Sequence, residues 1–185
     1  MNYMMIRTDD MLNGDGLRVV LFCTACDHKC KNCHNPETWD KHSGVPFDEK
    51  AQETIFKELE NNYISGITFS GGDPLHSNNV RQVYLLCKSI KEKFPKKTIW
   101  IYSGLTWEEI FNKSFNDFFN STQADDYRKF IIQEYCDIFV DGRYIEELSD
   151  VNYHWAGSTN QRVIDVKKTL ENDMSIVLYE SAGAK

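Results

Sequence analysis

Nowhere in this chain do apolar residues run together for the ~20 positions a membrane-spanning helix needs. The opening residues, MNYMMIRTDDMLNGDG, do not form the apolar centre of a secretion signal. Internal repeats and low-complexity linkers are also missing. So is any basic surplus: 28 acidic residues stand against 21 basic ones, a formal net charge of -7. A nucleic-acid partner calls for a positive face to neutralise phosphates, so this balance argues against one and reads as an acidic solvated surface. These absences lead us to expect a cytoplasmic protein with no membrane and no nucleic-acid partner. Thiols stay reduced there, which weakens a disulfide reading of the six cysteines.

What is present is an ordinary globular mixture, 41% apolar and 26% charged over 185 residues. That is enough to bury a core without staples, so one domain over 1–185 is the expectation. Four short apolar runs read as strands: LRVVLFC at 17–23, GITFS at 66–70, KTIWIYSG at 97–104 and CDIFVDG at 136–142. Between them lie helical spacings. Ile55, Phe56, Leu59 and Tyr63 share one face, and Val80, Val83, Tyr84, Cys87 and Ile90 another. TWEEIFNKSFNDFFN at 106–120 reads as a helix opened by Thr106, with Glu109 completing a capping box. DDYRKFIIQEY at 125–135 continues it, and QRVIDVKK and SIVLYE read as late strands. Strand alternating with helix predicts an α/β fold with a mostly parallel sheet. The cysteine loop, SGGDP, YSG and VDGR each follow a strand directly, so a parallel sheet would gather all four on one rim.

The chemistry concentrates in CTACDHKCKNCHN, with cysteines at 23, 26, 30 and 33. Structural zinc commonly takes two well-separated pairs of ligands, and these pairs stand only three residues apart. One tetrahedral ion would strain so tight a loop. A redox Cys-x-x-Cys needs a helix starting at the pair, and Asp27-His28-Lys29 gives no such signal. Cys23 ends the apolar run VVLFC and reads as a core residue. Without it Cys26, Cys30 and Cys33 remain, three thiolates suited to an iron–sulfur cube with one iron left open.

The spacing Cys26-x3-Cys30-x2-Cys33 is that of the radical SAM superfamily. NGDGLRVVLFCTACDHKCKNCHNPETWD, TFSGGDPLHSNN, IWIYSG, DIFVDGRY and AGSTNQRVIDV resemble, in this order, the activating proteins of anaerobic ribonucleotide reductase. The resemblance implies an incomplete, open radical SAM β/α barrel with its core at about 13–170. It leaves a variable helical segment at about 111–135 and a C-terminal tail at 171–185. It implies a [4Fe–4S] cluster on Cys26, Cys30 and Cys33, with S-adenosylmethionine on the open iron. Reductive cleavage to a 5′-deoxyadenosyl radical would then produce a glycyl radical on the reductase, with a low-potential donor such as reduced flavodoxin supplying the electron. Gly71, Gly72 and Asp73 would receive the methionine ammonium, and Asn32, Cys33 and His34 would lie beside the adenine. Many family loops carry an aromatic where Asn32 stands here, so His34 is the candidate flat surface. Ser103 is a further cofactor-binding candidate; Gly104, Asp141 and Gly142 share that expectation. An activase of another glycyl radical enzyme and, more distantly, a zinc-binding non-catalytic module stay open as alternatives.

The remaining unusual residues receive plainer readings. His28, His42, His76 and His154 have no partner at ligand spacing and read as loop or surface residues. Cys87 and Cys136 read as core; Trp39 reads as core, with shielding of the cluster as the alternative; Arg143 and Arg162 read as surface salt-bridge formers, with a carboxylate or the partner as the alternative contact. GSTNQRVID is a polar loop entering a strand and suggests no role of its own.

Overall fold

The computed structural model describes residues 1–111 and 122–181. Its strands are β1 (Asn2–Asp10), β2 (Arg18–Cys23), β3 (Val45–Pro46), β4 (Gly66–Gly71), β5 (Thr98–Tyr102), β6 (Ile138–Asp141) and β7 (Arg162–Asp165). They form one sheet in the order β3-β1-β2-β4-β5-β6-β7. The four central strands β2, β4, β5 and β6 pair in parallel. β1, β3 and β7 extend the sheet antiparallel at its margins. The expected mixed α/β architecture is therefore present, and all four expected central strands fall where the apolar runs lie.

The helices form where caps and apolar periodicity coincide. In α1 (Glu49–Leu59) the Asp48 carboxylate accepts from Ala51 N at 2.9 Å, and Ala51, Ile55, Phe56 and Leu59 are buried. α2 (Val80–Lys93) buries Val80, Val83, Leu86, Cys87 and Ile90. α3 (Trp107–Phe111) opens on the expected capping box: Thr106 N donates to Glu109 at 2.8 Å and Glu109 N donates to Thr106 Oγ1 at 3.2 Å. α4 (Gln123–Phe130) opens on a second box, Thr122 with Asp125, and runs into a π-helical turn at Ile131–Tyr135. The segment expected at 111–135 is thus helical from Gln123 onward; its positions 112–121 lie outside the described residues, as do 182–185 of the tail.

Two expectations about the end of the chain need correction. QRVIDVKK is a strand only to Asp165, whose side chain then caps α5 (Val166–Glu171) by accepting from Lys168 N at 3.0 Å. SIVLYE makes one isolated bridge, Ile164 with Leu178, instead of a full strand. It still docks on β7, since Tyr179 N donates to Val163 O at 2.8 Å.

The two faces of the sheet differ. Val19, Leu21, Cys23, Ile67, Phe69, Ile99, Ile101 and Phe139 point to one face and join the buried helix residues in a single apolar core. Cys87 and Cys136 lie in that core, as the sequence predicts. The opposite face carries Trp100, Ile138, Val140 and Val163, covered by Trp155, Ala156 and Tyr179. Toward the amino ends of the strands it holds Arg18, which is 1% exposed. Arg18 donates to Thr68 Oγ1 at 2.8 Å, Ile67 O at 2.8 Å, Thr98 Oγ1 at 2.9 Å, and Asp15 O and Thr98 O at 3.0 Å each. Its guanidinium also lies 5.3 Å from the Trp100 ring centroid. Burial lowers its pKa to about 10, and these oxygens are what keep the charge tolerable there. Among the described residues no helix is long and apolar enough to cross a membrane.

Candidate cluster and cosubstrate site

The carboxyl ends of β2, β4, β5 and β6 open into one cavity of about 680 Å³. Cys26, Cys30 and Cys33 line it from the loop after β2. Ser70, Gly71 and Gly72 line it from the end of β4, Tyr102, Ser103 and Gly104 from the end of β5, and Gly142 and Arg143 from the end of β6. The rim expected from four strand-end loops is therefore a single concave surface. Cys23 stands apart, fully buried in the apolar core, and burial pushes its thiol up to about 12.

The local conformation of the cysteine loop is unusual. Ala25, Lys29 and Asn32 all have positive φ, at 70°, 47° and 52°, and each immediately precedes one of the three cavity-lining cysteines. For non-glycine residues this conformation is uncommon and costs energy. Backbone N–H groups of this loop, and one from the loop after β6, face the sulfurs. His28 N and Lys29 N face the Cys26 sulfur, Tyr144 N faces that of Cys30, and Asn35 N donates to Cys33 Sγ at 3.4 Å. Successive N–H groups in mixed right- and left-handed backbone make anion-binding concavities, iron–sulfur sites included. Burial raises the Cys26 thiol to about 11 and also raises Cys30, so metal binding there must displace protons. Among the described residues no three His, Cys, Asp or Glu side chains converge as ligands of one metal ion. Three cysteines lining one cavity suit a cube, which attaches each thiolate to a different iron. The residues present fit an iron–sulfur cluster.

The Gly-Gly loop is fastened directly to the cysteine loop. Gly72 N donates to Cys23 O at 2.8 Å, and Asp73 N to Ala25 O at 2.8 Å. Gly71 has φ +96°, and a Cβ there would stand 2.7 Å from Cys23 O; one on Gly72 would stand 2.8 Å from Ala25 O. Close backbone approach thus requires glycine at both positions, and the backbone approached is that of residues 22–25.

The other expected contacts divide. His34 lines the cavity beside Tyr144, with ring centroids 5.0 Å apart. Ser103 lines it too and donates to both Asp73 oxygens, at 2.9 and 3.0 Å. Asp73 itself lies behind the wall, 2% exposed, and its carboxylate also meets His28 Nε2 at 2.8 Å and Leu75 N at 2.8 Å. Asn32 is exposed, does not line the cavity, and donates to Glu146 outside it. Asp141 is fully buried and held by Arg162 and Trp107 N, so it does not reach the cavity either.

Several site residues escaped the sequence reading. His28 reads there as a loop or surface residue without a partner; it does lie in a loop, yet it lines the cavity and pairs with Asp73. Trp39, read there as core in preference to a shield of the cluster, lines the cavity and is not part of the apolar clusters. GSTNQ acquires a role. Gln161 Oε1 accepts from Gly157 N at 2.9 Å and Ser158 N at 3.2 Å, while its Nε2 donates to Gly142 O at 2.9 Å. Asn160 Nδ2 donates to Arg143 O at 2.8 Å. The loop between β6 and β7, which forms one cavity wall, is latched by these side chains.

An α/β sheet bearing three cysteines on the loop after its first parallel strand suits an iron–sulfur protein. Consistent with that, the model of the family described as "4Fe-4S single cluster domain" matches residues 12–164. Among curated relatives, anaerobic ribonucleoside-triphosphate reductase-activating proteins align over most of the chain. The Pasteurella multocida protein is 34% identical, covering 87% of this chain and 95% of its own length. The bacteriophage T4 protein is 35% identical over 88% and 93%, and the Escherichia coli K12 protein 34% over 88% and 97%. The chain belongs to this family of reductase-activating proteins.

Proposed function

We propose that the protein is a radical SAM activase that generates a glycyl radical on an anaerobic ribonucleotide reductase. The observation that carries this reading is the cysteine loop, where Cys26, Cys30 and Cys33 each follow a left-handed residue and face one cavity with Gly71, Gly72 and Ser103. Cys26, Cys30 and Cys33 would hold a [4Fe–4S] cluster. Held there, such a cluster would supply the single low-potential electron for reductive cleavage of S-adenosylmethionine, the chemistry by which hydrogen would be taken from a glycine Cα of the reductase.

The chain's own residues do three things for that chemistry. The N–H groups of His28, Lys29, Tyr144 and Asn35 stabilise sulfur charge. Backbone carbonyls of the Gly71–Gly72 loop receive the methionine ammonium, with Ser103 beside them and Asp73 supporting Ser103 from behind. Trp39 and the His34–Tyr144 pair shield the opening and offer flat surfaces to an adenine. A bare primary radical is indiscriminate, so exclusion of water and a closely held glycine matter more than any acid or base.

The packing of the helices on one face of the sheet supports an incomplete, open β/α barrel, its inner face carrying Arg18 below and the cavity above. The partner reductase would bring its glycine to the open side. We read the donor as a low-potential carrier such as reduced flavodoxin, working in the cytoplasm where thiols stay reduced. The test is anaerobic incubation of reconstituted protein with reductant, S-adenosylmethionine and the reductase. Release of 5′-deoxyadenosine with a glycyl radical signal on the reductase is expected. A colourless protein holding one zinc would overturn the reading; a radical on a different glycyl radical enzyme alone would reassign the partner.

A further inference from the structure

We propose that His28 is a positioning residue that holds the cysteine loop in register with the loops that receive S-adenosylmethionine. The proposal rests on the activase reading above. His28 stands between Cys26 and Cys30, and its ring hydrogen-bonds to loops from two other strand ends. Nε2–H donates to Asp73 Oδ2 at 2.8 Å, and Nδ1 accepts from Arg143 Nε at 3.1 Å. A neutral ring carrying its proton on Nε2 satisfies both bonds. Arg143 follows β6 and Asp73 follows β4.

Asp73 makes the link rigid. Ser103 Oγ donates to both of its oxygens, at 2.9 and 3.0 Å, which adds the end of β5. Leu75 N donates to Oδ1 at 2.8 Å. The carboxylate is 2% exposed, and its acceptor sites are engaged by the protein. It therefore serves as a knot tying strand ends together, and it transmits the position of the cysteine loop to Ser103 and Gly72. Partners of this kind, one shell behind a metal site, set the geometry of the groups in front.

A second, independent feature marks the ring's place as reserved. A Cβ on Gly104 would lie 2.2 Å from His28 Cδ2 and 2.6 Å from Nε2. Glycine at 104 leaves room for the imidazole. Gly104→Ala should push the ring off Asp73 while leaving every titratable and metal-binding group of the chain intact.

The experiment compares anaerobically reconstituted wild type, His28→Ala, His28→Gln and Gly104→Ala. Iron per chain is measured first. S-Adenosylmethionine is then titrated against the electron paramagnetic resonance spectrum of the reduced cluster. We expect unchanged iron and an affinity about 10- to 100-fold weaker in His28→Ala and Gly104→Ala. His28→Gln, whose amide can still donate to Asp73, should recover most of the affinity. The double variant should be no weaker than His28→Ala, because both changes break one contact. Should His28→Ala not fold, the Gln and Gly104 variants carry the comparison. Wild-type affinity and spectral response in Gly104→Ala would overturn the proposal. So would equal loss of iron in both variants, which would make His28 a loop-folding residue only. A wild-type cluster whose spectrum ignores S-adenosylmethionine would overturn the activase reading itself, a distinguishable result.

Discussion

Arg162 Nε lies 2.9 Å from Asp141 Oδ1, across the antiparallel pairing of β6 with β7. Asp141 is fully buried, and its other oxygen accepts from Trp107 N at 2.8 Å. Arg162 also reaches Glu108, so one guanidinium joins the last central strand, the marginal strand and the start of α3. Removing it would leave a buried carboxylate with a single amide donor. We expect Arg162→Ala to cost on the order of 3 kcal/mol, more than a surface ion pair contributes. Urea unfolding of the two proteins measures this; a difference within error of zero would contradict it.

The outer half of that cluster should reveal itself through pH. Hydrogen bonds from Arg162 hold the Glu108 carboxyl below its ordinary value of 4.5. A lowered folded-state pKa gives stability that is complete above the unfolded value and lost as pH falls through the folded one. Glu108→Gln should therefore melt lower than wild type at neutral pH, by the small amount expected of a half-exposed pair. The gap should begin to shrink as pH falls past 4.5 and close once wild-type Glu108 is protonated. A gap that persists in acid would assign the effect to packing instead.

Serine at Cys26, Cys30 or Cys33 should abolish iron binding, whereas serine at Cys23 should keep the iron and lose stability. Cys23 is completely buried in the apolar core, so a hydroxyl there has poor prospects of a partner. The expected cost is about 1–3 kcal/mol. Iron analysis after anaerobic reconstitution, paired with thermal melts of the metal-free proteins, separates the two outcomes. Loss of iron in Cys23→Ser without loss of stability would reverse the division.

That division was legible in sequence because it is local. VVLFC shows a buried strand ending in cysteine, and the remaining three stand at an iron–sulfur spacing within eight residues, 26–33. The four strand ends were legible for the same reason: each apolar run stops at glycine, or at cysteine followed by a polar loop. β1 was not: its burial alternates from Met4 to Asp10, but its second half, RTDD, is polar throughout, so the residue types do not show the alternation. Nor was the partnership of His28, since Asp73 lies 45 residues away and Arg143 lies 115 away. No periodicity encodes a contact made only when the sheet brings strand ends together. Trp39 follows the same logic, as its place depends on how the loop after β2 returns to the cavity: Cys26 N donates to Trp39 O at 3.1 Å.

Gln161 offers the sharpest test of that cavity wall. Its one amide accepts from Gly157 N and Ser158 N and donates to Gly142 O, so both ends of the β6–β7 loop depend on it. Gln161→Ala should release the loop that carries Val151, Tyr153 and Trp155 into the cavity lining. Two amide donors and one carbonyl acceptor lose their partner together, and loops held by few contacts are the first to open. Proteolysis near 150–157 should then speed up well before global unfolding changes in proportion. Gln161→Glu keeps the acceptor for the two amides but loses the bond to Gly142 O, so it should fall between wild type and alanine. Equal protection in all three proteins would mean that Asn160, which donates to Arg143 O, latches the loop without its neighbour.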